Sequence, residues 1–215
     1  MTVPGTFDTS ARELIHAGLQ NLDEARSLFR QLSASGFDAA RCGLLLDALQ
    51  HVCDPDVALR NLVDIVNAQV SQGRALDDIM PDDTAFRQLV AVLGVSDAMG
   101  KLMRFRPDLV QAAATDHCNS HLYNHDQRRA HVLESVGADP NDRMSPTATM
   151  DLADAATALR RTYRNQLAAI IAQDTMSDDP IALQPRISSE LSDLADAALE
   201  GALAIARHEL SLIHI

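Results

Sequence analysis

The sequence predicts an all-α protein, a helical bundle of about eight or nine short helices that ends in a long amphipathic helix pair. Three observations carry this. Apolar residues recur at gaps of three and four along most of the chain, the repeat of one helix face. Most of these stretches are bounded by residues that start or stop helices. No run alternates apolar and polar positions with the β-branched and aromatic enrichment of a strand. Aliphatic packing has to build the core, because hydrophobic residues make up 47% of the chain while aromatics are 3% and Trp is absent.

Taken in order, residues 1–9 read as a loose leader punctuated by Pro4 and Gly5. A short helix is expected from near Ser10, carrying Leu14 and Ile15 and ending around Gly18. Asn21 with Glu24 three residues on suggests a capping box for the next, whose apolar side is Leu22, Ala25, Leu28, Phe29 and Leu32. Gly36 stops it. A third helix runs from about Asp38 through Leu45, Leu49 and Val52. Asp54-Pro55 is the clearest start in this half: aspartate caps, and proline gives up an N–H that had no partner at the first helical position. Ala58, Leu59, Leu62, Ile65, Val66 and Val70 then form a core stripe that ends near Gly73.

Pro81-Asp82-Asp83 opens another helix with Phe86, Leu89, Val90 and Leu93, and Gly94 is expected to close it as a left-handed cap. Ser96 caps the following one, with Met99, Leu102 and Met103 apolar, until Pro107 stops it. A short turn of helix takes Leu109 to Ala114. Two long amphipathic helices come last. The first, Asp151–Asp174, has its stripe at Leu152, Ala156, Leu159, Tyr163, Leu167 and Ile170. In the second, Ile187–Arg207, the stripe is Ile187, Leu191, Leu194, Ala198, Ala202 and Ile205, with Asp193, Asp196 and Glu200 expected to face water. The domains read as 1–114, an N-terminal helical domain; 115–146, a His-rich linker; and 147–208, the helix pair.

Thirty acids against eighteen bases give a net charge of -12. Phosphate neutralisation needs a basic surface, so a nucleic-acid partner is not expected. The three cysteines form no CxxC and leave an odd thiol, which fits a reducing cytosol. The N-terminus has no basic region followed by an apolar run, and no stretch approaches the ~20 apolar residues of a membrane helix. A soluble cytoplasmic protein is expected.

Four groups of residues could carry chemistry. His117, His121 and His125 lie four apart beside Cys118, with His131 beyond, and imidazoles on one helix face can ligate zinc or nickel. The plainer reading is a polar linker, since a closed zinc site wants a fourth ligand. Asp77/Asp78 and Asp82/Asp83 could hold a divalent cation, or could simply cap helices around Pro81. Lys101, Arg104 and Arg106 form one basic cluster and Arg160, Arg161 and Arg164 another. Either could grip a phosphate or pair with nearby acids. There is no GxSxG elbow and no glycine-rich phosphate loop. No catalytic, cofactor-binding or metal residue is assigned.

LRRTYRNQLAAIIAQD (Leu159–Asp174), followed by a turn and ELSDLADAALEGALAIAR (Glu190–Arg207), resembles the N-terminal half of bifunctional glutamine synthetase adenylyltransferase/adenylyl-removing enzymes. The resemblance extends to LVAVLGVSDAMGKLMRFRPDL (Leu89–Leu109) and more weakly to DPDVALRNLVDIV (Asp54–Val66). It implies an enzyme that transfers AMP from ATP to a tyrosine of glutamine synthetase and removes it by phosphorolysis. It also implies two nucleotidyltransferase domains using Mg2+ and ATP, and control by glutamine and a PII signalling protein. In that family a Gly-Ser followed by paired aspartates comes soon after the ALAIAR-like helix. This chain contains no Gly-Ser dipeptide and continues HELSLIHI. It is therefore expected to be an inactive N-terminal fragment whose helix pair leads into a truncated nucleotidyltransferase domain, without cofactors of its own, and residues 209–215 read as a tail of doubtful origin. The alternative is a stand-alone helical interaction or scaffold domain.

Overall fold

The computed structural model describes residues 9–79, 82–114, 123–177 and 179–213. Among them the chain is all-α, with ten helices, one single helical turn and no strand. The helices are α1 (Ala11–His16), α2 (Leu22–Ala34), α3 (Ala39–Leu49), α4 (Pro55–Ser71), the turn α5 (Leu76–Ile79), α6 (Asp83–Val95), α7 (Asp97–Met103), α8 (Pro107–Ala114), α9 (His125–Ser135), α10 (Leu152–Thr175) and α11 (Pro180–Ile213). They fall into two compact units, α1–α8 and α9–α11.

Local chemistry sets the starts. The side chains of Ser10, Asn21, Asp38, Asp54, Asp82, Ser96 and Asn124 each accept the backbone N–H of the third helical residue, satisfying a donor the helix itself cannot. The box expected at Asn21 is only half made. Its own N–H goes to Asp56 Oδ1 at 3.3 Å and the Gln20 N–H to Asp56 Oδ2 at 3.0 Å. A carboxylate in the first turn of α4 thereby ties down the start of α2.

In the first unit α6 is apolar almost all round, with Ala85, Phe86 and Leu89 to Leu93 buried, as a central helix must be. It packs against α3, α4, α7 and α8. Gly94 is not the left-handed cap expected of it. It lies within α6 and has no positive φ. A Cβ there would meet Val52 Cβ at 2.9 Å and the Asp54 carbonyl at 3.3 Å, so the residue is small because the end of α3 and the start of α4 pass close by. Gly100 of α7 does the same for α4: its Cβ would come within 2.3 Å of Asn61 Cγ. Asn61 is buried and its Nδ2 donates to the Leu93 carbonyl at 3.2 Å. Pro107 opens α8 instead of only ending α7.

The second unit rests on smaller side chains. One cluster joins Leu133, Val136, Ala138, Ala148, Ala155, Ala204 and Ile205, and another Ile170, Ile187 and Leu194. The stretch expected as a linker contains α9, which packs on both α10 and α11. A turn after it lies over α11, with the Ala148 N–H donating to the Ala204 carbonyl at 3.0 Å. The buried sides of the long helices match the expected stripes only in part. On α10, Ile170 is buried as expected and Leu159 and Leu167 pack against the core, but Leu152 is exposed and Ala155, Gln166, Ala169 and Gln173 are buried beside the expected line. On α11, Ile187, Leu194 and Ile205 are buried as expected, but Leu191 and Ala202 are exposed and Glu190, Ala197 and Ala204 take their places. Ala-rich sequence offers several nearly equivalent faces, and long-range pairing decides among them.

Candidate functional site

Among the described residues, those singled out from sequence do not gather into one site. His117, Cys118 and His121 lie outside the described residues. His125 opens α9, exposed, with Nδ1 3.7 Å from Asp126 Oδ1. His131 is exposed and meets the Tyr123 ring edge-on at 5.1 Å. Among the described residues no three His, Cys, Asp or Glu side chains gather as metal ligands would. Asp77 pairs with Arg41, Asp82 caps α6, and Asp83 stands in the first turn of α6. The side chain of Asp78 and the residue Pro81 lie outside the described residues.

The first basic cluster is neutralised by acids. Lys101 Nζ is 2.6 Å from Asp97 Oδ2, and Arg104 Nη1 is 3.4 Å from Asp64 Oδ2. Arg106 grips Asp108 with two hydrogen bonds, 2.9 and 2.7 Å long, and that bonding pushes its pKa up. In the second cluster Arg160 Nε donates to the Ala156 carbonyl at 2.9 Å.

What the structure does bring together is a junction of α9, α10 and α11, formed by residues far apart in the sequence. Arg128, 1% exposed, donates from Nη1 to Gln166 Oε1 at 2.7 Å and from Nη2 to Glu190 Oε2. Arg186 Nε stands 3.5 Å from the other Glu190 oxygen. The neighbouring Arg129 forks onto Glu200, Nε to Oε2 at 2.7 Å and Nη2 to Oε1 at 2.6 Å. It also donates to the carbonyls of Pro140 and Asp142, at 2.6 and 2.9 Å. Arg207 reaches the same turn through the Pro146 carbonyl at 3.0 Å. Asp142 holds the turn by accepting the N–H groups of Met144 and Ser145. Those two bonds, Ser145 first, hold its carboxyl below the usual range.

Two of the acids read as facing water, or left out of the stripe, are therefore the partners of two adjacent arginines. No local signal links Arg128 with Glu190, which lie 62 residues apart. The capping pattern at Asn124 and Gln127 does mark the helix that carries the arginines. Chemically the junction fixes orientation. Its carboxylates each face a guanidinium; a buried pair of this kind adds little net stability over an apolar substitute, but losing one partner of it is costly.

No protein-family model matches the chain, and no solved structure does. It is similar to curated proteins described as bifunctional glutamine synthetase adenylyltransferase/adenylyl-removing enzymes. The one from Bifidobacterium longum (strain NCC 2705) is 65% identical over 203 residues, 94% of this chain and 19% of the relative. Those from Leifsonia xyli and Streptomyces avermitilis are 31% identical over 199 residues and 30% over 212, covering 92% and 96% of this chain and 18% and 19% of theirs. The chain thus spans about a fifth of the length of the relatives it matches.

Proposed function

We propose that this chain, which belongs to the family of bifunctional glutamine synthetase adenylyltransferase/adenylyl-removing enzymes over the segment it shares with them, is the helical part leading into the adenylyl-removing half of such an enzyme. The observation that carries the reading is the 65% identity across 94% of the chain. The parent enzyme moves AMP from ATP to a tyrosine hydroxyl of glutamine synthetase, releasing pyrophosphate. In a separate reaction it removes the AMP, using phosphate to cleave the tyrosyl–AMP bond and giving free tyrosine and ADP. Mg2+ and ATP belong to its nucleotidyltransferase domains, glutamine and a PII protein to its control, and the cytoplasm to its location.

These helices supply no Gly-Ser followed by Asp-x-Asp, so the role of this segment is to orient what adjoins it. The Arg128 and Arg129 junction suits that role because it fixes three helices against one another. Two experiments test the reading. A chimera in which this chain replaces the matched segment of the Bifidobacterium longum enzyme should release ADP from adenylylated glutamine synthetase and phosphate. The 215-residue chain alone should release none. An inactive but folded chimera, or activity in the isolated chain, overturns the proposal. The reading frame after Arg207 discriminates further: a Gly-Ser and Asp-x-Asp within about a few tens of codons supports the enzyme. A stop codon after Ile215 supports a stand-alone scaffold instead.

A further inference from the structure

The inner face of α11 is covered by α9 and α10, yet its outer face is also apolar. Leu191, Leu199, Leu203 and Leu210 are 42%, 69%, 48% and 56% exposed. Successive residues of a helix turn by roughly 100°, which places Leu199, Leu203 and Leu210 along one line, with Leu191 at its edge and Ala195, Ala202 and Ala206 filling the gaps. All three alanines are exposed as well. A solvated helix face normally carries charge here, and contiguous apolar surface on a soluble protein marks a contact.

The borders of the stripe narrow the choice of partner. Asp193 and Asp196 flank it on one side and Glu209 on the other. Of the basic residues on α11, Arg186 lies next to Glu190 and Arg207 is held by the Pro146 carbonyl. A second copy laid on this face would set acid against acid, and the whole chain carries a net charge of -12. The relatives, by contrast, carry about four-fifths of their length outside the segment matched here.

We infer that the outer face of α11 is the seat of the parent enzyme's own adjoining polypeptide, through a surface that is apolar at its centre and basic at its rim. This rests on the proposed function for the existence of that polypeptide. The face that α9 and α10 cover holds the unit together, and the opposite face joins the unit to the rest of the enzyme.

The test is the reactivity of a thiol placed on the stripe. Leu199→Cys is made in the 215-residue chain and in the Bifidobacterium longum chimera, and maleimide labelling at that position is followed by peptide mass spectrometry. Ser189→Cys, at an exposed position outside the stripe, is the control. The thiol introduced at Leu199 should label at least about tenfold more slowly in the chimera than in the isolated chain, while the one introduced at Ser189 labels alike in both. Equal rates for the Leu199→Cys thiol overturn the inference. So does protection in the isolated chain that grows with protein concentration, because the occupant is then a second copy. The same substitution at the aligned position of the natural Bifidobacterium longum enzyme, which folds as it stands, gives the reading if the chimera does not. A chimera that protects the Leu199→Cys thiol but has no deadenylylating activity breaks the functional reading and leaves this one standing.

Discussion

The two units solve the same packing problem with different materials. In the first, Phe29, Leu32, Leu45, Leu49, Leu59, Leu62, Ile65, Leu89 and Leu93 are wholly buried. In the second, the largest wholly buried side chain is Arg128, and alanines occupy much of the interface. All five phenylalanines lie in the first unit's half of the chain and both tyrosines in the second's. Large aliphatic side chains stabilise whatever arrangement buries them and can repack. Alanine faces stabilise little and discriminate poorly between rotations of a helix, so a buried charge pair has to choose one. The difference is between a core held by amount and a core held by address.

Breaking the address should have the largest effect. Arg128→Ala leaves Glu190 buried beside a cavity without its main partner, and such single removals cost about 3–5 kcal/mol. Tyrosine fluorescence reports the second unit alone, since Tyr123 and Tyr163 are the only tyrosines and Trp is absent, so its urea midpoint measures the loss. The paired replacement Arg128→Met with Glu190→Leu should recover most of it, because a buried ion pair and its apolar substitute are often close in stability. If the double variant is as unstable as the single one, the junction is not acting as a matched pair.

Next in size come the amounts. Leu89→Ala in α6 empties the centre of the first unit and should cost about 2–5 kcal/mol. It should shift the circular-dichroism transition while the tyrosine signal of the second unit keeps its midpoint. A shift in both would mean that the two units unfold as one. Gly100→Ala tests close approach in the same unit. Its Cβ would fall 2.3 Å from Asn61 Cγ, and Asn61 cannot swing away without losing the Leu93 carbonyl. Overpacking of this sort costs about 1–3 kcal/mol, and restoring space with Asn61→Ala should relieve the clash.

The same contrast explains what could be read from sequence. The first unit was legible because its signals are local: Asp54-Pro55 and Ser96 cap helices where expected, and Ala58, Leu59, Leu62, Ile65 and Val66 are buried as their spacing implies, though Val70 at the end of the same stripe is exposed. Gly94 is ambiguous in sequence because a left-handed cap and a close helix crossing both call for glycine, and only the neighbour Val52 distinguishes them. In the second unit α9 hid behind its polarity: HDQRRAHVLES offers Val132 and Leu133 as its buried apolar residues and buries an arginine in place of a third. The stripes of α10 and α11 were legible only in part: Ile170, Ile187, Leu194 and Ile205 are buried as expected, while Leu152, Leu191 and Ala202 are exposed, since alanine reads as apolar on every side. The family resemblance was legible, because long stretches of wording survive even where the chemistry of the active site lies elsewhere.

Carboxylates at exposed turns give the gentlest way to sharpen the comparison. Glu13 in the first unit and Asp142 in the second both have lowered pKa values, Glu13 through the Ser10 hydroxyl and N–H and Asp142 through the N–H groups of Ser145 and Met144. A lowered folded-state pKa means that the charged form is favoured by folding. The stabilisation is present above the ordinary values of 4.5 and 3.8 and fades as pH falls through the folded ones. The consequences differ by what each group holds. Glu13 closes a box on α1, so its protonation should fray that helix alone. Asp142 closes the turn whose carbonyls bind Arg129 and Arg207, so its protonation should disturb amides on α9 and α11 as well. Proton–nitrogen spectra collected below pH 3.8 should show Met144, Ser145 and the Arg129 neighbourhood moving together. Asp142→Asn, which can still accept those N–H groups but cannot titrate, should remove that coordinated movement and leave the Glu13 transition untouched. Persistence of the movement in Asp142→Asn would assign it to another acid, and the turn would then be a bystander to the junction it covers.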